Sequence, residues 1–246
     1  MKNLQHEEPH SLLEESNTPK AKLHRRSFLQ YSGAGLAGLA LVAAGCKKNN
    51  NFPTDPNGGE PVDESGINLG SGETAVLNYA YVLEQIEAAF YAKVVATPYG
   101  GISDQEKKFF ADIAAHEVAH REVFKAALGT SAVPAVALDF SSIDFTNKTQ
   151  VLNAAKAFED LGVSAYNGAG KLLTSADNLA LAAKVVSVES RHAAYIRELI
   201  SPNSFANDEV VDGTNAFEKA RTPAEVLNII KTYVKNPINA SNLPTS

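Results

Sequence analysis

Two short runs in this chain carry residues whose types and spacing suit metal chemistry. Between Phe109 and Leu128, the helical stripe Phe110, Ile113, Glu117, His120, Phe124, Ala127 sets a glutamate and a histidine one turn apart. That is about 4.5 Å along a helix axis. The stripe Ala182, Val185, Glu189, His192, Ile196, Leu199 repeats the arrangement. A carboxylate in an apolar stripe is costly to bury unless it is paired or coordinates a metal. Two copies of E-x-x-H in such stripes point to coordination.

The first run, His116-Glu117-Val118-Ala119-His120, also spells H-E-x-x-H, the zinc-peptidase pattern. In that reading His116 and His120 bind zinc and Glu117 is the general base. No H-x-x-G-x-x-H continuation follows, and the second E-x-x-H is left without a task. His116 lies about 100° round the helix from Glu117, a position that suits a surface residue equally well. The peptidase reading is therefore disfavoured.

Four helices position these residues. The first is expected over about 72–96, ending before Pro98 and Gly100-Gly101, with the inner stripe Leu77, Ala80, Glu84, Glu87, Tyr91, Val94. The second begins at Ser103, whose spacing to Glu106 makes a capping box, and ends near Gly129. The third is expected from near Thr146 to Leu173, with the stripe Leu152, Ala155, Glu159, Gly162, Tyr166, Ala169, and the fourth from about Ser175 to Ile200, closed by Pro202. Short links make the first helix antiparallel to the second and the third antiparallel to the fourth. The link between the second and third runs to roughly eighteen residues and can reach about 59 Å. A 25-residue helix is only about 38 Å long, so this link can cross from one end of a bundle to the other.

The two halves repeat. Val76-Leu77-Asn78, Ala80, Glu84 and Tyr91 match Val151-Leu152-Asn153, Ala155, Glu159 and Tyr166 at an offset of 75 (159 − 84), and Glu117 and His120 match Glu189 and His192 at 72 (189 − 117). Each half thus supplies Glu, then Glu-x-x-His. The paired asparagines have no explanation in the sequence.

Composition sets the outer bounds. There is no Trp, one Met and one Cys in 246 residues, and a single Cys excludes an internal disulfide. The alanine-rich region after residue 70 suits helices more than strands. Lys plus Arg is 22 against 28 Asp plus Glu; without residues 1–45, which hold five basic and four acidic residues, 17 face 24, a net of −7. An acidic domain without a basic stripe argues against nucleic-acid binding.

The N-terminus reads as an address. Arg25-Arg26-Ser27-Phe28-Leu29-Gln30 resembles a twin-arginine export motif and is followed by a Gly/Ala-rich apolar run from Tyr31 to Gly45. Ala43-Ala44-Gly45-Cys46 resembles a lipobox, with Ala43 where Leu is usual, which makes Cys46 the lipidated first residue of the mature chain. The run is too short and too rich in glycine for the roughly twenty apolar residues of a span, which favours cleavage over an uncleaved anchor. The expected organisation is a signal over 1–45, a Pro/Gly/Asn-rich tether over 46–70, a bundle over 71–201 and a C-terminal extension over 202–246. In the extension, Thr222-Pro223-Ala224-Glu225 reads as N-cap, proline at the first helical position and capping-box Glu. A short helix to about Val234 should pack Val226, Ile229 and Ile230 on the bundle, and the tail after Lys235 should fray.

Taken together, the Glu/E-x-x-H repeat, the E-x6-Y pairs Glu84 to Tyr91 and Glu159 to Tyr166, and Leu83-Glu84-Gln85-Ile86-Glu87-Ala88-Ala89-Phe90-Tyr91 resemble the ferritin-like superfamily. With its export signal, the chain looks like the secreted ferritin-like proteins that include the plant desiccation-related type. The resemblance covers about residues 72–200. It implies an all-α, four-helix bundle with one long crossover between helices two and three, plus a short C-terminal helix. It also implies that Glu84, Glu117, His120, Glu159, Glu189 and His192 are the ligands of a dimetal centre. Dimetal carboxylate bundles use that set, one Glu from each of two helices and Glu-x-x-His from each of the others.

Charge supports the assignment independently, because four carboxylates and two divalent ions sum to zero. Oxygen-rich ligands with two imidazoles suit iron or manganese, with zinc as an outlier. Glu87 is either an extra ligand or a residue leaning out to solvent at the edge of its stripe; its counterpart is Gly162. Tyr91 and Tyr166 either hydrogen-bond to ligands or are core aromatics with one polar tip. Arg121 and Arg191 point away from the stripes. The expected function is a dimetal redox protein of the cell envelope that reacts with dioxygen or peroxide. It would cross by the twin-arginine translocase and stay at the membrane through its lipid alone. The alternative is a metal-binding or structural, stress-protective envelope protein without turnover.

Overall fold

The computed structural model describes residues 66–245. Its helices are α1 (Gly72–Ala96), α2 (Asp104–Leu128), α3 (Lys148–Ala169), α4 (Ala176–Ile200) and the short α5 (Pro223–Ile230). Four two-residue strands, β1 (Ile67–Asn68), β2 (Val211–Asp212), β3 (Phe217–Glu218) and β4 (Ile238–Asn239), complete the elements. The four long helices are the expected ones. The third is shorter than its apolar pattern suggested, because Gly170–Leu172 tightens into a 3₁₀ turn before α4.

The starts of α2, α3, α4 and α5 are set by side chains that satisfy free N–H groups. Ser103 and Glu106 form the expected capping box on α2, and Thr222 and Glu225 form one on α5 behind Pro223. Glu73, in the first turn of α1, reaches to the start of α4, where its carboxylate accepts from the Ser175 backbone N–H at 2.5 Å and from the Asn178 side chain at 2.8 Å. The starts of α1 and α4 therefore lie at one end of the bundle. At the other end, Gly100, just past α1, donates its N–H to the Thr146 carbonyl, and Lys148 reaches Glu106 at 2.8 Å. There α2 and α3 begin side by side. The order is up, down, down, up, which requires one crossover between α2 and α3.

That crossover, residues 129–147, runs along α1. Asn78 ties down its beginning: the side-chain amide donates to the carbonyls of Leu69 and Ser131 and its oxygen accepts from the Val133 N–H. Gln85 accepts from the Val136 N–H two turns on, and Phe90 packs edge-on against Phe140. Covered by the crossover as well as by its neighbours, α1 is buried almost all round, from Ala75 to Ala88 without a break. The outer helices α2 and α4 keep one wet face each. On α2 the buried stripe ends on Leu128, with Ala127 exposed, because 3.6 residues per turn drifts away from a fixed spacing.

Both chain segments flanking the bundle are more ordered than their composition suggested. β1 pairs in parallel with β4, Ile67 with Ile238 and Asn68 with Asn239, and Leu69 and Leu243 are buried. The tail after Lys235 is thus held in a ladder and does not fray, and residues 66–70 of the expected tether pack on the domain. The stretch after α4 folds back as the antiparallel pair β2–β3. Arg197 of α4, 1% exposed, anchors it by pairing with Asp160 at 2.6 Å and Glu209 at 2.7 Å and donating to the Ser204 carbonyl. Arg25, Arg26 and Cys46 lie outside the described residues. Among the described residues no helix is long and apolar enough to cross a membrane.

Candidate metal centre

Each long helix brings one part of a buried cluster to the middle of the bundle: Glu84 from α1, Glu117 and His120 from α2, Glu159 from α3, Glu189 and His192 from α4. All four carboxylates are 0% exposed. The six side chains fall into two nests, Glu84, Glu117, His120 and Glu189 in one and Glu117, Glu159, Glu189 and His192 in the other, each with ligand-type atoms within 4.8 Å of one another. Glu117 and Glu189 belong to both.

The sharing is resolved atom by atom. Nδ1 of His120 faces Glu189 Oε1 at 2.6 Å, Glu117 Oε2 at 3.5 Å and Glu84 Oε2 at 3.5 Å. Nδ1 of His192 faces Glu117 Oε1 at 2.9 Å, Glu159 Oε2 at 3.5 Å and Glu189 Oε2 at 3.6 Å. Each central glutamate therefore turns one oxygen to each histidine. None of these inward atoms has the alignment of a hydrogen bond: both oxygens of Glu117 and Glu189, Oε2 of Glu84 and Glu159, and both Nδ1 atoms are buried without a hydrogen-bond partner. Buried polar atoms are almost always satisfied. Eight unsatisfied ones converging here, among the described residues, fit the binding of metal ions.

The outer oxygens are satisfied by the tyrosines. Tyr91 donates to Glu159 Oε1, and Tyr166 donates to Glu84 Oε1. The two tyrosines are thus partners of the glutamates, each serving the one from the other half of the repeat. Burial and then the charge of Glu159 hold the Tyr91 phenol well above its ordinary range, and burial and Glu84 do the same for Tyr166, so both remain donors.

Glu87, one turn along α1 from Glu84, is 3% exposed. The sequence left open whether it leans out to solvent; it does not. It joins neither nest, and its Oε2 has no hydrogen-bond partner. Its Oε1 lies against Gly162, where a Cβ would stand 2.9 Å away. Burial first, then the charges of Glu189 and Glu117, push Glu87 well above the usual carboxylate range, which makes it a neutral acid.

Without a cation the cluster would hold protons. Burial and the Glu189 charge push Glu84 up to about 8, and burial raises Glu159 well above the carboxylate range. Burial disfavours charge on His120 and His192, but the carboxylates around them outweigh it and lift both to about 12. Glu189 goes the other way: burial raises it, and the two imidazoles more than compensate, bringing it to about 2. Its 2.6 Å approach to His120 is the physical reason.

Sequence reasoning missed His116. It is partly exposed, yet its Nδ1 sits 2.9 Å from Nε2 of His192, with the two rings 9° from parallel. Its spacing from Glu117 pointed off the stripe, and no sequence signal marks a contact with a residue 76 positions away. Arg121 pairs with its neighbour Glu122 and Arg191 is exposed, as their positions off the stripes implied.

A profile of the ferritin-like domain family matches residues 72–202 of the 246. No curated protein matches the chain.

Proposed function

The chain belongs to the ferritin-like domain family, and from that premise we propose that its six clustered ligand-type residues hold a carboxylate-bridged pair of iron or manganese ions that reacts with dioxygen or peroxide. One observation carries the reading: Glu117 and Glu189 each direct one oxygen to the Nδ1 of each histidine. Glu84 and His120 would help hold one ion, Glu159 and His192 the other, and Glu117 and Glu189 would serve both. Four carboxylates with few nitrogens and no thiolate favour iron or manganese.

Bound there, the pair would supply a redox couple for reducing dioxygen or peroxide. The chain supplies the setting. Tyr91 and Tyr166 hold the outer oxygens of Glu159 and Glu84, which leaves the inner oxygen of each free to turn to a cation. Phe110 and Phe124, buried in the same stripe as Glu117, exclude water from the cluster. Glu87 joins neither nest, which leaves four carboxylates to balance two divalent charges.

The test is to load the purified chain with iron, reduce it, and add oxygen or peroxide while recording the optical spectrum. A change in the iron absorption supports turnover. An unchanged spectrum with iron still bound sinks the redox reading and leaves metal holding without turnover, which the complete burial of the four carboxylates favours as the second reading.

Export belongs to the same proposal. Arg25-Arg26 would direct the chain to the twin-arginine route and Cys46 would carry the lipid that tethers it to the cell envelope. Cys46→Ser should then release the exported chain from the membrane fraction. A serine variant that stays membrane-bound counts against the lipid anchor.

A further inference from the structure

His116 meets the cluster from outside. Its Nδ1 is 2.9 Å from Nε2 of His192, and His192 turns its other nitrogen, Nδ1, towards Glu117 at 2.9 Å. A neutral imidazole has one N–H and one lone pair, on opposite nitrogens. With the proton on Nε2, His192 donates to His116 Nδ1 and presents the Nδ1 lone pair to the nest. With the proton on Nδ1, the lone pair faces outward and the inward atom cannot bind a cation. The near-parallel rings, 9° apart, keep the two nitrogens in line.

The other half lacks this device. The offset of 72 that carries His120 to His192 carries His116 to position 188 (116 + 72), which is Val188. A valine side chain accepts no hydrogen bond, so no matching residue orients His120. The two nests share Glu117 and Glu189 and match in Glu84 against Glu159. Besides the buried Glu87, whose repeat counterpart is Gly162, they differ in this outer contact.

We propose that His116 is a positioning residue that fixes the metal-binding tautomer of His192, and that it makes the His192 nest the tighter of two inequivalent metal positions. The proposal rests on the dimetal reading above. Outer partners of this kind change metal affinity by roughly 10- to 100-fold when removed.

Stepwise titration of the purified, metal-free full chain with manganese(II) in a calorimeter tests it. The wild type should show two separable steps. His116→Ala should weaken the tighter step by roughly 10- to 100-fold and leave the weaker one in place. His116→Gln, whose amide oxygen can accept the same proton, should recover most of the loss. In zinc-loaded protein with ¹⁵N-labelled histidine, His192 should show a protonated Nε2 and a zinc-bound Nδ1, and the Nε2 proton should exchange faster in His116→Ala. Equal weakening of both steps, or no change in either, overturns the positioning role while the dimetal site stands. A wild type that takes up no manganese and no zinc overturns the dimetal reading itself, and this inference with it.

Discussion

Tyr91 of α1 donates its phenol proton to Glu159 of α3 at 2.5 Å, not to Glu84 in its own helix. The crossing follows from helix geometry. Seven residues separate Glu84 from Tyr91, about 10.5 Å along the axis, so the two cannot meet within α1. The partner helix runs the opposite way, and its own Glu/Tyr pair is offset in the reverse sense. Tyr166 therefore serves Glu84 by the same rule.

Tyr91→Phe removes the only donor to Glu159 Oε1 among the described residues and leaves a buried oxygen unsatisfied. The expected cost to the metal-free chain is about 1–3 kcal/mol, read from denaturant unfolding. Metal stoichiometry should not change, because Glu159 keeps its inward oxygen. Loss of a metal ion in this variant would show that the tyrosine does more than hold the outer oxygen.

Gly162 and Glu87 are coupled by space. A Cβ at position 162 would lie 2.9 Å from Glu87 Oε1. Replacing glycine by alanine inside a helix normally stabilises by up to about 1 kcal/mol. Here overpacking by about 1–3 kcal/mol should win, because the buried Glu87 carboxylate would have to shift towards the small apolar cavity it shares with Phe158 and Ile230. Gly162→Ala should thus destabilise the wild type and stabilise a Glu87→Ala background. Additive effects in the double-mutant cycle would rule the coupling out.

The pH dependence of the metal-free chain has a definite sign. Glu84 is raised from 4.5 to about 8, and His120 and His192 from 6.5 to about 12. A raised group stabilises fully below its unfolded value and loses that contribution as pH climbs through its folded value. Glu189, lowered to about 2, acts only below the ordinary carboxylate value of 4.5. His116 is lowered by burial and by His192 and opposes the trend only near and below 6.5. Between pH 7 and 9 the unfolding temperature of the metal-free chain should therefore fall. Metal displaces the same protons, so uptake should tighten over that interval and release acid. A flat profile between pH 7 and 9 would contradict the proton-held cluster.

The paired asparagines of the repeat should behave unequally. Asn78 makes three hydrogen bonds that fasten the start of the crossover and the chain before α1, whereas Asn153 is exposed. Asn78→Ala should cost about 1–3 kcal/mol by leaving buried backbone groups unpaired. Asn153→Ala should stay within about 0.5 kcal/mol. Equal losses would mean that the crossover is not held as described.

What could be read from the sequence was whatever had a period. Glu84, Glu117, Glu159 and Glu189 stood out because each interrupts an apolar helical stripe, and the four helices and the crossover followed from the same stripes and from link lengths. His116 was invisible because its contact joins residues 76 apart and lies off the stripe of its own helix. The β1–β4 ladder was invisible too, since two-residue strands are too short to show alternation. Nothing in the sequence singled out Arg197, and only the fold brings Asp160, Asn207 and Glu209 around it. The meeting of Tyr91 with Glu159 needed the relative direction of α1 and α3, which no single stripe contains.

The bridging role of Glu117 and Glu189 is the centre of the account, and metal counting by native mass spectrometry addresses it most directly. The wild-type chain should carry two divalent ions. Glu84→Ala and Glu159→Ala should each lose at most one, because each touches one nest. Glu189→Ala should lower occupancy at both positions, because its two oxygens face both histidines. A Glu189→Ala chain that still holds two ions would contradict the shared-carboxylate site.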